Sequence, residues 1–470
     1  MITELFFLIM ALIITSSSSD VAASSWPSTS GYNFVIGLCI YIFTVAFIVV
    51  QAKLLGKMKG FARRLTTLAN AELIIFLCVY DLILGSNLIF REIPLVGASL
   101  FLPAFFSLSL YFLGLFVAYR VISRPSRSSA FLKVRFLFPF VVPFLFFLTI
   151  ADVATIFYSG ATIFSGEGWH YAFGALMLYV VFLGLLMLFF PVLLKVLWGC
   201  RPLPSSPLKE RLELLCKKAS FSHGGFKIWH VMKDAITAAI IGIVPRFRYI
   251  MFTEKILQHC SDDEVEAILC HEIGHSKRKH LLLYPFIIMG MIIVATLFSF
   301  IFDPAIYSFF DNVESSSSWR FVAPIAKTGP FLCIIFLYFR FVFGFFSRMF
   351  ERQADLHVFS VGIDPENMIS SLDTIAILAG GIHNVPSWHH YSIAKRIAFL
   401  EIAIADPSIV VRHHRFVRRS IIIYFIALIV GMILVISPFL VDVPVIGYFG
   451  ECIIKASVAI ENFVNPLADF

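Results

Sequence analysis

The chain has 470 residues, of which 59% are hydrophobic and 14% are charged, and its mean hydropathy is +0.89. Soluble domains carry about 25% charged residues, so this composition excludes an ordinary soluble enzyme, a disordered chain and a collagen-like fibre. The net charge of +7 comes from basic residues that stand between apolar runs, as loops beside a bilayer require, and this argues against a nucleic-acid partner. The sequence therefore predicts a polytopic α-helical membrane protein.

Apolar runs long enough to cross a bilayer predict about seven to eight spans, since a span takes roughly 17–25 residues. They lie at about 34–51, 72–90, 96–118, 136–158, 172–198, 281–302, 330–346 and 420–441. The stretch Leu5–Thr15 is too short to span. Ala22-Ala23 before Ser24 fits a signal-peptide cleavage site, but the preceding segment carries Glu4 and no Lys or Arg. Residues 1–23 are interpreted either as a cleaved signal peptide or as a short apolar segment.

Basic residues are frequent in the loops after the first, third and fifth predicted spans and before the last span, and sparse in the other loops. By the positive-inside rule, segments 200–280 and 347–419 then face the cytosol. We expect them to form one α+β domain that is split by two spans. The predicted organisation is 1–23 (N-terminal segment), 24–199 (five spans), 200–280 (first domain part), 281–346 (two spans with an outer loop at 303–330), 347–419 (second domain part) and 420–470 (last span and tail).

The first domain part contains short β-branched or apolar runs at Lys227–Met232, Ala238–Val244 and Arg248–Phe252, which predict strands. Ser261 is followed three residues later by Glu264, the pattern of a capping box. We therefore expect a helix that begins there and continues to about His280.

That helix carries His271-Glu272-Ile273-Gly274-His275. Helix positions i and i+4 share a face, so both imidazoles can bind one metal ion, and Glu272 stands beside them where its carboxylate can accept a proton from water. Zn²⁺ fits best, because it accepts histidine nitrogens and a carboxylate oxygen and keeps a position open. The alternative is a structural helix with two solvated histidines, which the capped, acidic first turn disfavours.

A single zinc ion per chain needs a third protein ligand. Glu351-Arg352-Gln353-Ala354-Asp355 follows the seventh predicted span, on the same membrane side as the histidines. Glu351 is the candidate third ligand. Asp355, one turn later on the same face, is the candidate hydrogen-bond acceptor for a ligand imidazole. If this cluster were not on the same side of the membrane as the two histidines, it would be interpreted as a solvated helix end.

H-E-x-x-H followed by E-x-x-A-D, with transmembrane helices between them, resembles the integral-membrane gluzincin metallopeptidases. This group comprises the type I CAAX prenyl endopeptidases and the HtpX-type quality-control proteases, and five spans before the first motif favour the CAAX branch. The resemblance implies a zinc endopeptidase with ligands His271, His275 and Glu351 and general base Glu272. Its substrates would be membrane-tethered peptides or proteins, either prenylated CAAX peptides or misfolded membrane proteins.

The family has a downstream H-P-x-L-x-x-R element, which stands here at His390–Ile397 without its proline. The resemblance implies that His390 or Arg396 stabilises the oxyanion, or holds Asp355 or a substrate carboxylate, and His389 competes for the same role. The family also places an Asn-Ala pair on an edge strand that receives the substrate. The corresponding residues here are Thr237, Ala238 and Ala239. Thr237 stands where the family has Asn, so the resemblance does not define how the substrate would be held.

Two other interpretations were weighed. An intramembrane metalloprotease of the site-two type would bury its H-E-x-x-H helix in lipid, which the charges of Asp262–Glu264 and Lys277–Lys279 exclude. The second interpretation is a non-catalytic zinc-binding scaffold or transporter. Charged residues within predicted spans are consistent with it, namely Asp81, Asp152 and Arg340. The intact Glu272 argues against it, since an inactive site needs no base.

Overall fold

The computed structural model describes residues 2–21, 30–55, 62–93, 99–122, 127–157, 169–231, 235–314, 323–385, 390–437, 448, 451–460 and 462. Its internal contacts divide the chain into two compact units. The first comprises Met1–Leu203, His223–Ala235 and Ile241–Glu254, and the second comprises Pro204–Ser222, Ile236–Ile240 and Lys255–Phe470. The predicted domain part 200–280 is therefore shared between the two units.

The first unit is mainly helical, with a core of leucine, alanine and aromatic side chains. Its helices are α1 (Ile2–Val21), α2 (Ser30–Leu55), α3 (Ala62–Leu77), α4 (Phe101–Ile122), α5 (Arg127–Arg135), α6 (Phe138–Phe157) and α7 (Trp169–Leu197). A π-helical segment, Cys78–Ile83, extends α3, and the left-handed Gly85 (φ 57°) ends that span. A left-handed residue stops a helix, and glycine adopts that conformation without strain.

Two carboxylates that the sequence places within spans have partners in this unit. Asp152 accepts hydrogen bonds from the Leu100 and Phe101 backbone N–H groups at 2.7 and 3.1 Å and so caps the start of α4. Asp81 accepts one from the Ser107 hydroxyl at 2.8 Å. Such bonds satisfy polar groups where no bulk water is present.

The strands are β1 (Arg201–Pro202), β2 (Phe226–Trp229), β3 (Ala238–Ile241) and β4 (Tyr249–Thr253). In the first unit, β1 pairs antiparallel with β2 and β2 pairs parallel with the buried β4. The predicted strand Ala238–Val244 is too long, because Gly242 has φ 113° and lies where a Cβ atom would meet the Phe247 carbonyl oxygen at 2.4 Å. Only glycine accepts that backbone conformation and that close approach.

Further helices belong to the second unit, apart from the first residue of α9. They are α8 (Pro207–Lys218), α9 (Glu254–His259), α10 (Asp262–Lys277), α11 (His280–Glu314), α12 (Ala323–Tyr338), α13 (Gly344–Asp355), α14 (His357–Val361), α15 (Pro365–Leu378), α16 (Ile393–Ala405) and α17 (Ser408–Ile436). The predicted helix from Ser261 to His280 ends early, because Lys279 is left-handed (φ 59°) and α11 begins afresh. Within the predicted outer loop 303–330, residues 303–314 and 323–330 are helical.

Among the described residues, seven helices are long and apolar enough to cross a membrane. Their apolar parts are Ser30–Leu55, Arg64–Ile83, Phe101–Ile122, Val180–Leu197, His280–Ile306, Cys333–Val361 and Ser408–Ile436. The predicted span 136–158 corresponds to α6, whose apolar part Phe138–Val153 is shorter than the others. The chain is thus a multi-pass helical membrane protein.

The capping box predicted at Ser261 is confirmed, and it connects α10 to α15. The Glu264 carboxylate accepts a hydrogen bond from the Ser261 N–H at 2.8 Å and others from Ser370 and Thr374 at 2.6 and 2.7 Å. Burial alone would raise the pKa of Glu264, but these hydrogen bonds lower it below its ordinary value. The ionised carboxylate therefore stabilises the packing of α10 against α15.

Replacing Glu264 by Ala should lower the free energy of unfolding by about 2 kcal/mol, since it removes the Glu264 half of the capping box and leaves two hydroxyls without their acceptor. Because the folded pKa is lowered, this contribution is present above the ordinary carboxyl pKa and is lost as the pH falls through the folded value. Denaturation in detergent at pH 7 measures it. The control is Asp262→Ala in the same turn, whose side chain is half exposed; an equal loss there would contradict the prediction.

Candidate metal centre

Helix α10 presents His271 and His275 on one face, and Gly274 between them lets α13 approach closely. A Cβ atom at Gly274 would lie 2.8 Å from the His357 Cβ and 3.1 Å from the Ala354 Cα. The two helices can therefore pack this closely only because residue 274 has no side chain. This close approach brings Glu351, one turn before Ala354, to the two histidines.

Three acceptor atoms converge between α10 and α13. The Nε2 atoms of His271 and His275 are 3.2 Å apart, and Glu351 carboxylate oxygens lie 3.8 Å from the first and 3.4 Å from the second. The three ligand atoms lie within 4.8 Å of one another. The sequence expectation that these residues meet thus agrees with their placement, and together they could hold a metal ion.

Asp355 and Arg396 orient His271. The His271 Nδ1–H donates to the Asp355 carboxylate at 2.9 Å, which directs the Nε2 lone pair towards Glu351 and His275. Arg396, in the first turn of α16, donates two hydrogen bonds to Asp355, at 2.9 and 2.6 Å. This bidentate pair fixes the carboxylate. The resemblance leaves several roles open for Arg396. Its hydrogen bonds in this structure correspond to the role of holding Asp355.

A second hydrogen-bond chain orients His275. His275 Nδ1 lies 3.0 Å from His280 Nδ1, His280 Nε2 lies 3.1 Å from the Gln353 carbonyl oxygen, and the Gln353 amide donates to His414 at 3.2 Å. Because the Gln353 oxygen can only accept, His280 carries its proton on Nε2 and accepts from the His275 Nδ1–H. His275 then also presents a bare Nε2 to the centre.

The sequence alone did not indicate this second chain of hydrogen bonds. On an unbroken helix, a residue five positions after His275 would point about 140° away from it. The left-handed Lys279 ends α10 and turns His280 back, where its ring stacks on Phe350 at 4.2 Å. The usable signal was a third histidine shortly after the motif, together with Gln353 inside the second motif.

The arrangement favours a cation. Three acceptors face one another, an unfavourable contact unless positive charge lies between them. Burial alone would lower the pKa of His275, but the hydrogen bond and the charge of Glu351 outweigh it and raise that pKa. Two imidazole nitrogens and one carboxylate oxygen are a donor set that suits zinc, so the residues present fit the metal.

Glu272 lies beside the centre with its carboxylate directed towards strand β3. Burial, the first cause, raises its pKa; the charges of His271 and His275 and a hydrogen bond from the Ile240 N–H oppose that rise. The net pKa is raised above the ordinary glutamate value. A carboxylate with a raised pKa is suited to accept a proton and release it again near neutral pH.

A cavity of about 630 Å³ opens over the centre. Its apolar wall contains Ile256, Ile268, Met368, Leu372, Ile375 and Ile382. Of the predicted substrate-binding residues, Thr237 and Ala238 line the cavity and Ala239 is absent from the lining, because alternate residues of a strand point to opposite sides. His389 lies outside the described residues.

His390 lines this cavity, with Nδ1 3.3 Å from a Glu351 oxygen. The segment that carries it is held by Arg352 of α13, whose guanidinium lies 3.9 Å from the Tyr391 ring centre and 4.3 Å from that of Phe399. Such stacking fixes a cation and its partner rings. Arg352 thus ties the His390 segment and α16 to the helix that carries Glu351.

Replacing His280 by Phe should weaken zinc binding by roughly 10–100-fold, because loss of a group that orients a ligand typically has this effect. Phe keeps the ring that stacks on Phe350 and removes both hydrogen bonds. Competition with a chromogenic chelator measures the affinity. His259→Phe, at an exposed position of α9, is the matched control. Equal zinc affinity in the two variants would contradict the prediction that His280 supports zinc binding.

Comparison with known proteins gives consistent matches. The profile of Peptidase family M48 matches residues 202–436. CAAX prenyl protease 1 of Saccharomyces cerevisiae is 26% identical over 221 residues, 43% of this chain and 49% of that protein. CAAX prenyl protease 1 homolog of Oryza sativa subsp. japonica is 23% identical over 230 residues, 46% of this chain and 53% of that protein. The matches thus span about half the length of each relative.

A crystal structure of S. mikatae Ste24p superposes with a TM-score of 0.43 and 18% sequence identity, covering 80% of this chain and 99% of that one.

Proposed function

The chain belongs to Peptidase family M48, and from that membership we propose that it is a zinc endopeptidase that hydrolyses peptide bonds of membrane-associated substrates. One observation carries the proposal: His271, His275 and Glu351 converge at the base of a cavity that Glu272 also lines. The comparisons do not favour the alternative of a non-catalytic scaffold or transporter.

In this proposal one zinc ion per chain is held by His271, His275 and Glu351. When bound, zinc supplies Lewis acidity that polarises a carbonyl and lowers the pKa of water to about 7. Asp355 and His280 keep both Nε2 atoms free of protons for the metal. Arg396 acts through Asp355 and is a positioning residue.

Glu272 is the proposed general base. Its carboxylate accepts a proton from the attacking water and later donates it to the leaving amine, and its raised pKa suits both steps. His390 is the proposed oxyanion donor, because it lines the cavity next to Glu351 whereas Arg396 is engaged by Asp355. A positioned donor at that point stabilises the negative charge that develops on the substrate oxygen.

Strand β3 is the proposed guide for the substrate backbone. Thr237, Ala238 and Ile240 line one side of the cavity, and an extended peptide can pair with a strand through main-chain hydrogen bonds. The apolar wall opposite would accept aliphatic side chains. We propose that the site faces the cytosol, as the distribution of basic residues between the spans indicates.

The proposed substrate class is the prenylated CAAX peptide, which the names of the related proteins support. The test uses purified protein in detergent with three substrates: a farnesylated CAAX peptide, the same peptide without its lipid, and an unstructured membrane protein. The proposal expects the farnesylated peptide to be cleaved fastest. Preferential cleavage of the unstructured protein would instead assign the chain to the quality-control type of protease.

A further inference from the structure

A second cavity, of about 370 Å³, lies in the first unit where α7 ends. It is lined by Leu132, Arg135, Trp198, Gly199, Arg201, His230 and Glu254. Three of these seven side chains carry or can carry positive charge, and one is acidic. None of them belongs to the candidate metal centre.

The Arg135 side chain is held in place by the local structure. Arg135 donates from Nε to the Leu197 carbonyl and at 3.3 Å to the Val196 carbonyl, so its guanidinium covers the end of α7. Gly199, with φ 61°, lies where a Cβ atom would meet this guanidinium at 3.1 Å. The absence of a side chain there keeps the guanidinium open to the cavity.

His230 and Arg201 add nitrogen atoms that have no partner in the described part of the chain. The His230 Nδ1 bonds to the Glu254 carboxylate at 2.6 Å, whereas its buried Nε2 has no hydrogen-bond partner in the described part of the chain. Glu254 is thereby engaged by His230. Arg201 is exposed, and its guanidinium has no hydrogen bond or ion pair with any described residue. A buried nitrogen and a free guanidinium at one cavity favour an anionic ligand.

Two lysines of the same unit lie over Tyr249 of strand β4. The ammonium groups of Lys195 and Lys227 lie 4.9 and 5.8 Å from the ring centre of Tyr249. Burial raises the pKa of the Cys200 thiol to about 11, although Lys227, Arg135 and Lys195 oppose that rise, so these three cations act on one point. Among the lining side chains themselves, the two guanidinium groups outnumber the single carboxylate of Glu254.

The cavity lies beside the end of a helix that is long and apolar enough to cross a membrane. Leu197 is the last residue of a span, and Trp198 follows it directly. Tryptophan is enriched at the level of the lipid head groups, and basic pockets at helix ends bind anionic head groups. The Trp198 ring stacks on Trp229 and Phe136, at 4.7 and 5.5 Å, and forms a rigid wall.

We propose that this cavity binds a phosphate group, and that the phosphate is the head group of an anionic lipid. Arg201 and Arg135 can each engage two phosphate oxygens, since the guanidinium fork matches that geometry. His230 supplies a third contact from Nε2 when both of its ring nitrogens carry a proton, with the Glu254 carboxylate accepting from Nδ1. The proposal concerns lipid binding and does not depend on the proposed peptidase activity.

The test measures thermal stability of the full chain in an uncharged detergent during titration with dioctanoyl phosphatidic acid, dioctanoyl phosphatidylcholine or inorganic phosphate. We expect saturable stabilisation by phosphatidic acid, with half-saturation shifted roughly tenfold higher in Arg201→Gln. His230→Gln, at a second wall, should shift it in the same direction. Arg418→Gln, which removes an exposed charge from α17, should leave it unchanged.

Equal weakening by Arg201→Gln and Arg418→Gln would overturn the proposal, because it would indicate diffuse attraction between charges. So would an absence of stabilisation, or equal stabilisation by phosphatidylcholine and phosphatidic acid. If inorganic phosphate stabilises as strongly as phosphatidic acid and needs Arg201, the phosphate site stands and its occupant is the free anion.

Discussion

Replacing Glu272 by Gln should leave the zinc content unchanged and lower kcat by about a thousandfold. Gln has the same shape and does not touch the three ligand positions, but it cannot accept the proton of the attacking water, a step worth roughly 10²–10⁴-fold. The measurement pairs zinc per chain with the rate of cleavage of a farnesylated CAAX peptide.

The matched control for this change is Glu266→Gln on the same helix. Glu266 bonds to Arg211 at 2.8 Å, and a carboxamide oxygen can keep that hydrogen bond. Near wild-type activity is expected there. If Glu272→Gln also kept its activity while holding zinc, Glu272 would not be the base, and the proposed chemistry would need another proton acceptor.

Replacing Glu351 by Gln should weaken zinc binding by more than about a hundredfold, a larger loss than that for groups outside the ligand set. A neutral carboxamide is a poor zinc ligand, and the change also removes the negative charge that three histidines and Arg396 surround. Chelator competition measures the affinity, and peptide cleavage should fall to background at limiting zinc.

Glu401→Gln is the control for Glu351, since Glu401 is exposed on α16. It should bind zinc and cleave peptide as the wild type does. Retention of tight zinc binding by Glu351→Gln would contradict the assignment of the third ligand. A fourth side chain near the centre, such as His390, would then have to supply it.

The core of the site could be predicted because helix periodicity acts over short distances. The spacing of His271 and His275 places both rings on one face, and the same spacing relates Glu351 to Asp355. The resemblance to a known family then predicted that the helix with His271 and His275 lies next to the helix with Glu351. The role of Arg396 stayed open in the sequence, since only the three-dimensional structure brings α16 against Asp355, where Arg396 donates to that carboxylate.

The features that were missed depend on single backbone conformations. Lys279 ends α10 in a left-handed conformation and so places His280 against His275, and hydrophobic periodicity contains no signal for such a break. Gly242 likewise ends β3 before the apolar run ends. The helical extension of α11 to Glu314 was missed because Asp303 and Pro304 resemble a helix end, whereas a proline inside an apolar helix is tolerated in membranes.

The most direct test of the central claim is a zinc titration of metal-stripped protein, followed by cleavage of the farnesylated peptide. The account predicts that activity is absent without metal, rises linearly with added zinc and stops rising at about one zinc per chain, because three ligands and one open position define a single site. Activity that persists in the stripped protein, or zinc that binds at one per chain without restoring cleavage, would contradict it.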